Sequence, residues 1–257
     1  MSDMAVHGAA ELFDLSGRVV VITGGSRGLG REMVLAVARA GATVVVASRK
    51  LDACESVAEE VRAAGGQALA VACHVGQWED LGRLADTVWR EFGRVDVLVN
   101  NAGMSPHYGS LAEVNEAMWD KVLDVNLKGP FRLSALIGER MVADGGGAII
   151  NISSIAAYRP SAGEAPYAAA KAGLNNLTLS LARSFAPTVR VNCVVAGPFL
   201  TDISKAWKPE VLERQMRKLV LGRAGEPAEI VGAVLYLASN ASSFVTGSVI
   251  DVHGGGF

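Results

Sequence analysis

Arg18-Val-Val-Val-Ile-Thr-Gly-Gly-Ser-Arg-Gly-Leu-Gly30 is the stretch that decides the fold. Its first half, residues 18–23, is a short apolar run rich in β-branched residues, which is typical of a strand buried on both faces. Its second half is a glycine turn that leads into a predicted helix over residues 30–40. Glycines let the backbone approach a diphosphate, and the start of a helix offers free N–H groups. The stretch therefore predicts a cofactor-binding strand–turn–helix unit.

The spacing of this turn is T-G-x-x-x-G-x-G, formed by Thr23, Gly24, Gly28 and Gly30. It differs from the G-x-G-x-x-G dinucleotide fingerprint. A glycine cluster alone is weak evidence, because tight turns also use glycine. The flanking strand and helix favour cofactor binding.

Strands and helices alternate along the rest of the chain. Further strands are predicted at 43–47, 67–73, 95–99, 148–152, 189–195 and 248–252, and helices at 52–64, 79–92, 114–142, 166–186 and 227–239. This alternation implies an α/β fold with a doubly wound parallel sheet, helices on both faces and right-handed crossovers. One domain over residues 1–257 is expected, with 1–13 as an N-terminal extension. The segment 199–222 could be a substrate-binding lid or a surface helix.

The composition limits the class of protein. A hydrophobic content of 50%, a charged content of 19% and a mean hydropathy of +0.29 predict a large buried core. A net charge of −2 argues against nucleic-acid binding by a basic surface. Neither a secretion signal nor a long apolar run suited to a membrane is present.

The three cysteines, Cys54, Cys73 and Cys193, are scattered and form no C-x-x-C pair. This pattern disfavours a disulfide framework or a structural zinc site, so no metal site is expected. It is typical of a reducing compartment, and a cytoplasmic location is expected.

The residues after the second predicted strand bear on cofactor preference. The acidic residue that would hold a ribose 2′-hydroxyl in an NAD site is absent there. Arg49 stands in that place, with Lys50 beside it and Arg27 in the glycine turn. These cations suit a 2′-phosphate, which predicts NADP(H) in preference to NAD(H). The alternative is that Arg49 and Lys50 merely begin a solvated helix.

Ser154, Tyr167 and Lys171 suggest proton chemistry. Tyr167 and Lys171 lie four residues apart in a predicted helix, so both can face one cavity. A nearby cation favours phenolate and lowers the pKa of a tyrosine. Ser154 follows a strand, at the sheet edge where sites of open α/β folds lie. Together they could move a proton to or from an alcohol oxygen, although such a Tyr–Lys pair also occurs on ordinary helices.

Three other polar residues have more than one interpretation. Asn126 lies in an apolar helical context, where it could bind a water or kink the helix, or could simply be exposed. His74, after the third strand, is expected to be a hydrogen-bonded structural residue rather than a catalyst. His107 could face a substrate, but a place on a surface loop is favoured.

In order and spacing, these motifs resemble the short-chain dehydrogenase/reductase family. The resemblance covers about residues 14–256. The motifs that carry it are the glycine turn, Asn100-Asn101-Ala102-Gly103, Asn126, Ser154, Tyr167-x-x-x-Lys171 and Gly222-Arg223-x-Gly225-x-Pro227. It implies a Rossmann-like sheet of about seven parallel strands and a homotetramer or homodimer, with tetramer interfaces on the helices of Asn126 and Tyr167.

The resemblance also implies roles for the catalytic residues. Tyr167 would be the general acid/base, and Ser154 would hydrogen-bond the substrate oxygen. Lys171 would bind the nicotinamide ribose and, helped by the positive charge of the oxidised nicotinamide, lower the pKa of Tyr167. Asn126 would hold a water in a proton relay that reaches Lys171. Ser153 is the neighbouring alternative to Ser154, which the spacing to Tyr167 favours.

The cofactor would be surrounded by residues from several loops. The expected cofactor-binding residues are Gly24, Ser26, Arg27, Gly28, Leu29, Gly30, Arg49, His74, Val75, Asn101, Ala102, Gly103, Tyr167, Lys171, Phe199 and Thr201. Three positions depart from the family pattern: His74 replaces an aspartate, Ala196 replaces a proline, and His253 replaces the acid of a terminal Asp-Gly-Gly.

The function expected from these residues is an NADP(H)-dependent oxidoreductase that interconverts a ketone and a secondary alcohol. Its partner would be a small-molecule substrate, not nucleic acid or a membrane. The alternatives are an NAD(H)-dependent alcohol or polyol dehydrogenase, a 3-oxoacyl-thioester reductase of the same family, and a non-enzymatic dinucleotide-binding scaffold. A methyltransferase would leave the Tyr–Lys pair without a purpose. The segments expected to line the pocket, 155–165 and 199–220, mix aromatic and charged residues and leave the substrate open.

Overall fold

A computed structural model of the chain describes residues 8–201, 216–217 and 219–255. At its centre is one sheet of seven parallel strands, ordered β3-β2-β1-β4-β5-β6-β7. The strands are β1 Val19–Thr23, β2 Thr43–Ser48, β3 Gln67–Ala72, β4 Val97–Asn100, β5 Gly147–Ser154, β6 Val189–Ala196 and β7 Val249–Val252. The direction of winding reverses between β1 and β4, so the predicted doubly wound parallel sheet is confirmed.

Helices cover both faces of this sheet. They are α1 Ala9–Leu12, α2 Gly28–Arg39, α3 Leu51–Ala63, α4 Trp78–Phe92, α5 Glu116–Leu123, α6 Gly129–Ala143, α7 Ala165–Ser184 and α8 Val231–Ala238. One core packs α2, α3 and α8 against the sheet, and a second packs α4, α6 and α7 against the other face. In β1, Val20 and Ile22 enter the first core, while Val19 and Val21 enter the second. The strand is thus buried on both faces, as its composition predicts.

The helix predicted over 114–142 differs from the one observed. A 3₁₀ turn at Leu111–Glu113 precedes it, and α5 begins only at Glu116, where Asn115 accepts a hydrogen bond from Met118 N at 2.9 Å. Between α5 and α6 the chain forms a π-helical stretch, Asp124–Lys128. Such wide turns arise where tertiary contacts reshape the helix, so an apolar period alone does not predict one.

The two ends of the predicted lid are described, and residues 202–215 and 218 between them lie outside the described residues. At one end, Phe199 pairs with Gly225 in a parallel bridge. At the other, Leu221 N donates to Gly254 O at 3.0 Å. Of the N-terminal extension, residues 1–7 also lie outside the described residues. Among the helices that are described, none is both long and apolar enough to cross a bilayer.

Candidate active site

The predicted site residues meet at the carboxyl edge of the sheet, around the switch point between β1 and β4. In open α/β sheets this is where ligands bind. The glycine turn follows β1, the loop 101–115 follows β4, and Ser154 ends β5. The sequence-distant motifs are therefore neighbours in the fold.

The glycine turn can accept a diphosphate. Gly24 and Gly28 have φ values of +66° and +53°, a conformation that side chains other than glycine rarely adopt. A Cβ at Gly30 would collide with Gly24 O and lie 2.6 Å from Asn101 Nδ2. Helix α2 begins at Gly28, and its N-cap, Arg27, makes no side-chain cap. The helix start thus keeps N–H groups available for an anion.

Thr23 and Asn101 tie β4 to this turn. The Thr23 hydroxyl oxygen accepts hydrogen bonds from Asn101 N at 3.0 Å and Ala102 N at 3.1 Å. The side-chain amide of Asn101 donates to Thr23 O at 2.9 Å. Sequence reasoning assigned Asn101 to the adenosine side alone, but in the structure its amide nitrogen holds the turn itself.

The cations expected beside the adenosine ribose are exposed. Arg27, Arg49 and Lys50 all face solvent, and α3 begins directly after them at Leu51. Ser48 Oγ donates to Ser26 Oγ at 2.9 Å, which ties the glycine turn to the end of β2. Within the part of the chain that the structure describes, neither Arg27 nor Arg49 makes an ion pair.

His74 and Val75 follow β3. Gly76 N donates to His74 Nδ1 at 3.1 Å, and His74 N donates to Asp80 Oδ2 at 3.0 Å. The imidazole is therefore part of a hydrogen-bonded turn, as expected. Val75 is buried, and a Cβ at Gly129 would collide with its carbonyl oxygen. His107, by contrast, is exposed on the loop after β4.

Tyr167 and Lys171 share one face of α7. Lys171 is only 3% exposed, and its Nζ donates to Ile152 O at 2.8 Å. The ammonium lies 5.7 Å from the centroid of the Tyr167 ring. Burial lowers the pKa of Lys171 to about 8. The lysine thus sits close to the midpoint between its charged and neutral forms at mildly alkaline pH.

The pKa of Tyr167 in the protein alone is raised, so the expected lowering stays a prediction for the complex with oxidised cofactor. Burial raises the pKa of Tyr167, and the carboxylate of Glu164 raises it further, while hydrogen bonding with Ser154 lowers it. The physical reason is that a dry environment disfavours the charged forms of both partners. Helical spacing places the lysine correctly, but it carries no information on the desolvation of either group.

Ser154 rather than Ser153 lies on the site side of β5. Ser154 Oγ accepts a hydrogen bond from Ala156 N at 3.2 Å and interacts with Tyr167. Ser153 is buried, and its hydroxyl donates to Lys171 O at 3.3 Å. Successive residues of a strand point to opposite faces, which explains why only one of the two serines reaches the tyrosine.

Asn126 is fully buried in the π-helical stretch, so it is not an exposed polar residue. Its Oδ1 accepts from Met104 N at 3.2 Å, and its Nδ2 donates to Met104 O at 2.8 Å and Val122 O at 2.9 Å. A Cβ at Gly103 would lie 3.0 Å from Asn126 Oδ1 and 3.7 Å from Lys171 Nζ. The amide and the ammonium therefore flank the same glycine.

The segment after β6 returns to the glycine turn. Leu200 N donates to Gly225 O at 2.9 Å, which fixes the backbone beside Phe199. The Thr201 methyl group is 3.5 Å from the position a Cβ would take at Gly28. Ala196 precedes Gly197, whose own Cβ position is blocked by His253. A glycine is thus required there whether alanine or proline comes before it.

Two residues near the site have roles that were not predicted from the sequence. Glu164 is the N-cap of α7, three residues before Tyr167, and this spacing could have indicated its electrostatic effect. Tyr108, in the loop after β4, hydrogen-bonds to the start of α7. No local pattern signals that long-range contact.

Known proteins are similar to the chain over nearly its whole length. Residues 24–256 match the family model described as enoyl-(acyl carrier protein) reductase. The chain is 37% identical over 255 residues to dehydrogenase/reductase SDR family member 4 of Pongo abelii, covering 98% of this chain and 92% of that protein. It is 34% identical over 242 residues to the 3-oxoacyl-[acyl-carrier-protein] reductase FabG of Thermotoga maritima, covering 94% and 98%.

A solved structure is similar in both fold and sequence. It is a 7α-hydroxysteroid dehydrogenase complexed with NADH and 7-oxo glycochenodeoxycholic acid, and it matches with a TM-score of 0.93 and 34% identity, covering 97% of this chain and 98% of that one. With the sheet order and the family matches taken together, the chain belongs to the short-chain dehydrogenase/reductase family, whose members are NAD(P)-dependent oxidoreductases acting on CH–OH groups.

Proposed function

We propose that the chain is an NADP(H)-dependent oxidoreductase that interconverts a ketone and a secondary alcohol, with Tyr167 as the general acid/base. The observation that carries the proposal is the grouping around Tyr167. Ser154 interacts with its hydroxyl, buried Lys171 lies one helical turn away, and Asn126 approaches Lys171 across Gly103. Proton transfer at an alcohol oxygen needs a side-chain acid or base positioned within hydrogen-bond reach.

The residues divide the chemistry between them. The cofactor, when bound, supplies or accepts the hydride. Tyr167 gives a proton to the carbonyl oxygen during reduction and takes it back during oxidation, while Ser154 orients that oxygen. Burial raises the pKa of Tyr167, which favours the protonated form that acts as the acid in reduction.

Lys171 and Asn126 would help to return protons to Tyr167. Lys171 would also hold the nicotinamide ribose, and its charged form would favour phenolate whenever Tyr167 has given up its proton. With the pKa of Lys171 at about 8, this ammonium can itself release and regain a proton near neutral pH. Asn126 Oδ1, on the other side of Gly103, could hold a water for that exchange.

NADP(H) is preferred over NAD(H) in this proposal because Arg27 and Arg49 are exposed at the ends of the glycine turn and β2. Unpaired guanidinium groups bind phosphate well. The alternative, an NAD(H)-dependent alcohol or polyol dehydrogenase, has support from the similar steroid dehydrogenase that holds NADH. Titration with NADPH and NADH in parallel separates them, and tighter binding of NADH would reject the preference.

The substrate is a small carbonyl compound. The similar FabG protein keeps a 3-oxoacyl thioester open as the second candidate. We infer that residues 155–165 and the segment 199–222 bind it, with the latter acting as a lid within a single domain. Of the polar and aromatic residues expected there, Tyr158 and Arg159 are exposed, while Lys205 and Trp207 lie outside the described residues.

A homotetramer or homodimer is the proposed assembly. Phe131 is exposed on α6 and, with Leu127 and Leu177, lines a groove formed by α5, the π-helical stretch, α6 and α7. Large apolar side chains of this kind mark association surfaces. Sedimentation of Phe131→Glu should give a smaller species than the parent, and an unchanged mass would reject this face.

A cytoplasmic location is also proposed. All three cysteines are buried and free. Burial raises the pKa of Cys73 to about 12 and that of Cys193 to about 11, which keeps both thiols protonated and unreactive. Such thiols are suited to a reducing compartment.

The decisive experiment replaces Tyr167 by phenylalanine. A panel of keto-sugar acids, 3-oxoacyl thioesters and aromatic ketones is followed by NADPH absorbance. The variant should bind NADPH normally, while turnover of the best substrate falls by about 10²–10⁴-fold. Tyr236→Phe, in α8, is the matched control and should keep its activity. Full turnover by Tyr167→Phe would disprove the assignment, and no turnover by the parent despite tight NADPH binding would favour the scaffold alternative.

A further inference from the structure

Tyr108 reaches from the loop after β4 to the start of α7. Its hydroxyl oxygen accepts a hydrogen bond from Ala165 N at 2.7 Å, and the hydroxyl donates to Ala162 O at 3.1 Å. The two positions are 57 residues apart in the chain. Ala165 is the first residue of α7, and Tyr167 follows two residues later.

The first turn of α7 is not capped by a side chain of its own N-terminal residue. Its N-cap, Glu164, makes no side-chain cap, because Glu164 Oε1 instead accepts from Ser161 N at 2.8 Å. Pro166 carries no N–H. The Ala165 N–H is therefore an early donor of the helix, and a phenol from another loop satisfies it. A residue distant in sequence does what an N-cap side chain does in most helices.

The loop that carries Tyr108 is fixed at both ends. Glu113 accepts hydrogen bonds from Gly109 N at 3.0 Å and from the Ser110 hydroxyl at 3.2 Å. Near the other end of the loop, the Asn126 side chain hydrogen-bonds to both the backbone N and the backbone O of Met104. Tyr108 thus lies in a loop that Asn126 holds near one end and Glu113 holds near the other.

The geometry points to Tyr108 as a positioning residue for Tyr167. By holding the first turn of α7, its hydroxyl sets the position of the Tyr167 phenol relative to Ser154. The inference rests on the proposed role of Tyr167 as the acid/base. Tyr108 itself does not need to touch the substrate or the reacting atoms.

Tyr108→Phe tests this because it keeps the ring and removes only the hydroxyl. Hydrogen exchange of the peptide covering the start of α7, measured on the protein alone, should speed up about fivefold or more, as expected when an amide loses its partner. With the best ketone of the panel, kcat should fall about fivefold or more, while the Kd for NADPH stays within about twofold. The solvent isotope effect on kcat should rise, because proton transfer becomes more limiting. Tyr236→Phe should change none of these.

Two further variants keep the inference falsifiable. Glu113→Ala loosens the same loop from its other end, so it should reproduce the exchange and kcat changes in weaker form if Tyr108→Phe folds poorly. In a Tyr167→Phe background, Tyr108→Phe should lower the residual rate by less than about twofold, since it acts through the missing hydroxyl.

The outcomes separate this inference from the proposed function. Unchanged exchange at the start of α7 would overturn it, as would faster exchange with unchanged kcat. A parallel loss of NADPH affinity and kcat would show a general structural role and would also overturn it. If the parent turns over no carbonyl compound, the proposed function fails and this inference with it, whereas a failure confined to Tyr108→Phe leaves the role of Tyr167 intact.

Discussion

Asn126 binds both polar groups of the Met104 backbone: Oδ1 accepts from Met104 N at 3.2 Å, and Nδ2 donates to Met104 O at 2.8 Å. This pairing resembles the exchange of hydrogen bonds between neighbouring strands, but here a side chain provides one partner. It fixes the loop after β4 to the π-helical stretch. Only an amide side chain of this length supplies both the acceptor and the donor.

Asn126→Asp should destabilise the protein, although the aspartate side chain has nearly the same shape as that of asparagine. The carboxylate cannot donate, so the carbonyl oxygens of Met104 and Val122 lose a buried partner. We expect a loss of about 2–4 kcal/mol in the free energy of unfolding, measured by urea denaturation. Asn115→Asp is the matched control, because Asn115 only accepts a bond from Met118 N and aspartate caps equally well. Equal effects of the two changes would contradict the role of the Asn126 donor.

Lys171→Met should abolish activity and stabilise the folded protein. The pKa of Lys171 is lowered from 10.5 to about 8 by burial, which corresponds to a penalty of about 3 kcal/mol for the charged form. Methionine removes that penalty and loses the bond to Ile152 O, worth about 1 kcal/mol. At pH 7 the free energy of unfolding of the variant should be about 2 kcal/mol higher than that of the parent. The variant should show no turnover. A less stable variant would refute this balance.

The same lysine predicts a pH dependence of stability. Below pH about 8 it is protonated in both states, and the folded state bears the penalty. Between about 8 and 10.5 only the unfolded state keeps the proton, so the free energy of unfolding rises with pH. The difference between the parent and Lys171→Met should therefore shrink across this window. Lys121→Met, the same change at an exposed position of α5, is the matched control.

Gly30→Ala should disrupt the turn of the glycine motif. The added methyl group would collide with Gly24 O and crowd Asn101 Nδ2. We expect a loss of about 2–3 kcal/mol in stability and weaker NADPH binding by fluorescence titration. Gly82→Ala in α4 is the opposite control, since nothing lies within 4 Å of its Cβ position. It should stabilise the protein by about 1 kcal/mol. A similar gain in stability from Gly30→Ala would show that a methyl group at position 30 does not collide with Gly24 O.

Arg49→Asp should change the cofactor preference. An exposed guanidinium at the end of β2 is replaced by a carboxylate that repels a 2′-phosphate and accepts bonds from a 2′-hydroxyl. NADPH affinity should fall about 10–100-fold, while NADH affinity holds or improves. Arg39→Asp, at the far end of α2, makes the same charge change and should affect both cofactors little. Equal losses of affinity for NADPH and NADH would mean that Arg49 does not recognise the 2′-phosphate.

The parts of the fold that sequence predicts are those set by local periodicity. The alternation of apolar runs and amphipathic stretches predicts the seven strands, and helical spacing places Tyr167 and Lys171 on one face. The choice of Ser154 over Ser153 follows from spacing and agrees with strand alternation. The direction of the Tyr167 pKa in the protein alone does not follow from the sequence, because it depends on how far the surrounding fold excludes water.

Long-range contacts account for the rest. Ala165 N finds its acceptor in Tyr108, and no pattern near either residue signals the other. The wide turn around Asn126 depends on the Met104 backbone, which lies 22 residues earlier. The side chains of His74 and Asn101 both hydrogen-bond to neighbouring backbone. A residue whose side chain suits a ligand can therefore also be required by the fold.

The π-helical stretch Asp124–Lys128 also sets the rotational phase of the helix that follows it. A π turn holds one residue more than an α turn, and each residue of a regular helix advances the side chains by about 100°. Leu133, Ile137 and Met141 face the core only because that extra residue is accommodated. If the same five residues formed a regular α-helix instead, every later side chain of α6 would be rotated by about a quarter turn. The wide form of this turn is therefore required by packing, just as the identity of Asn126 is required by hydrogen bonding.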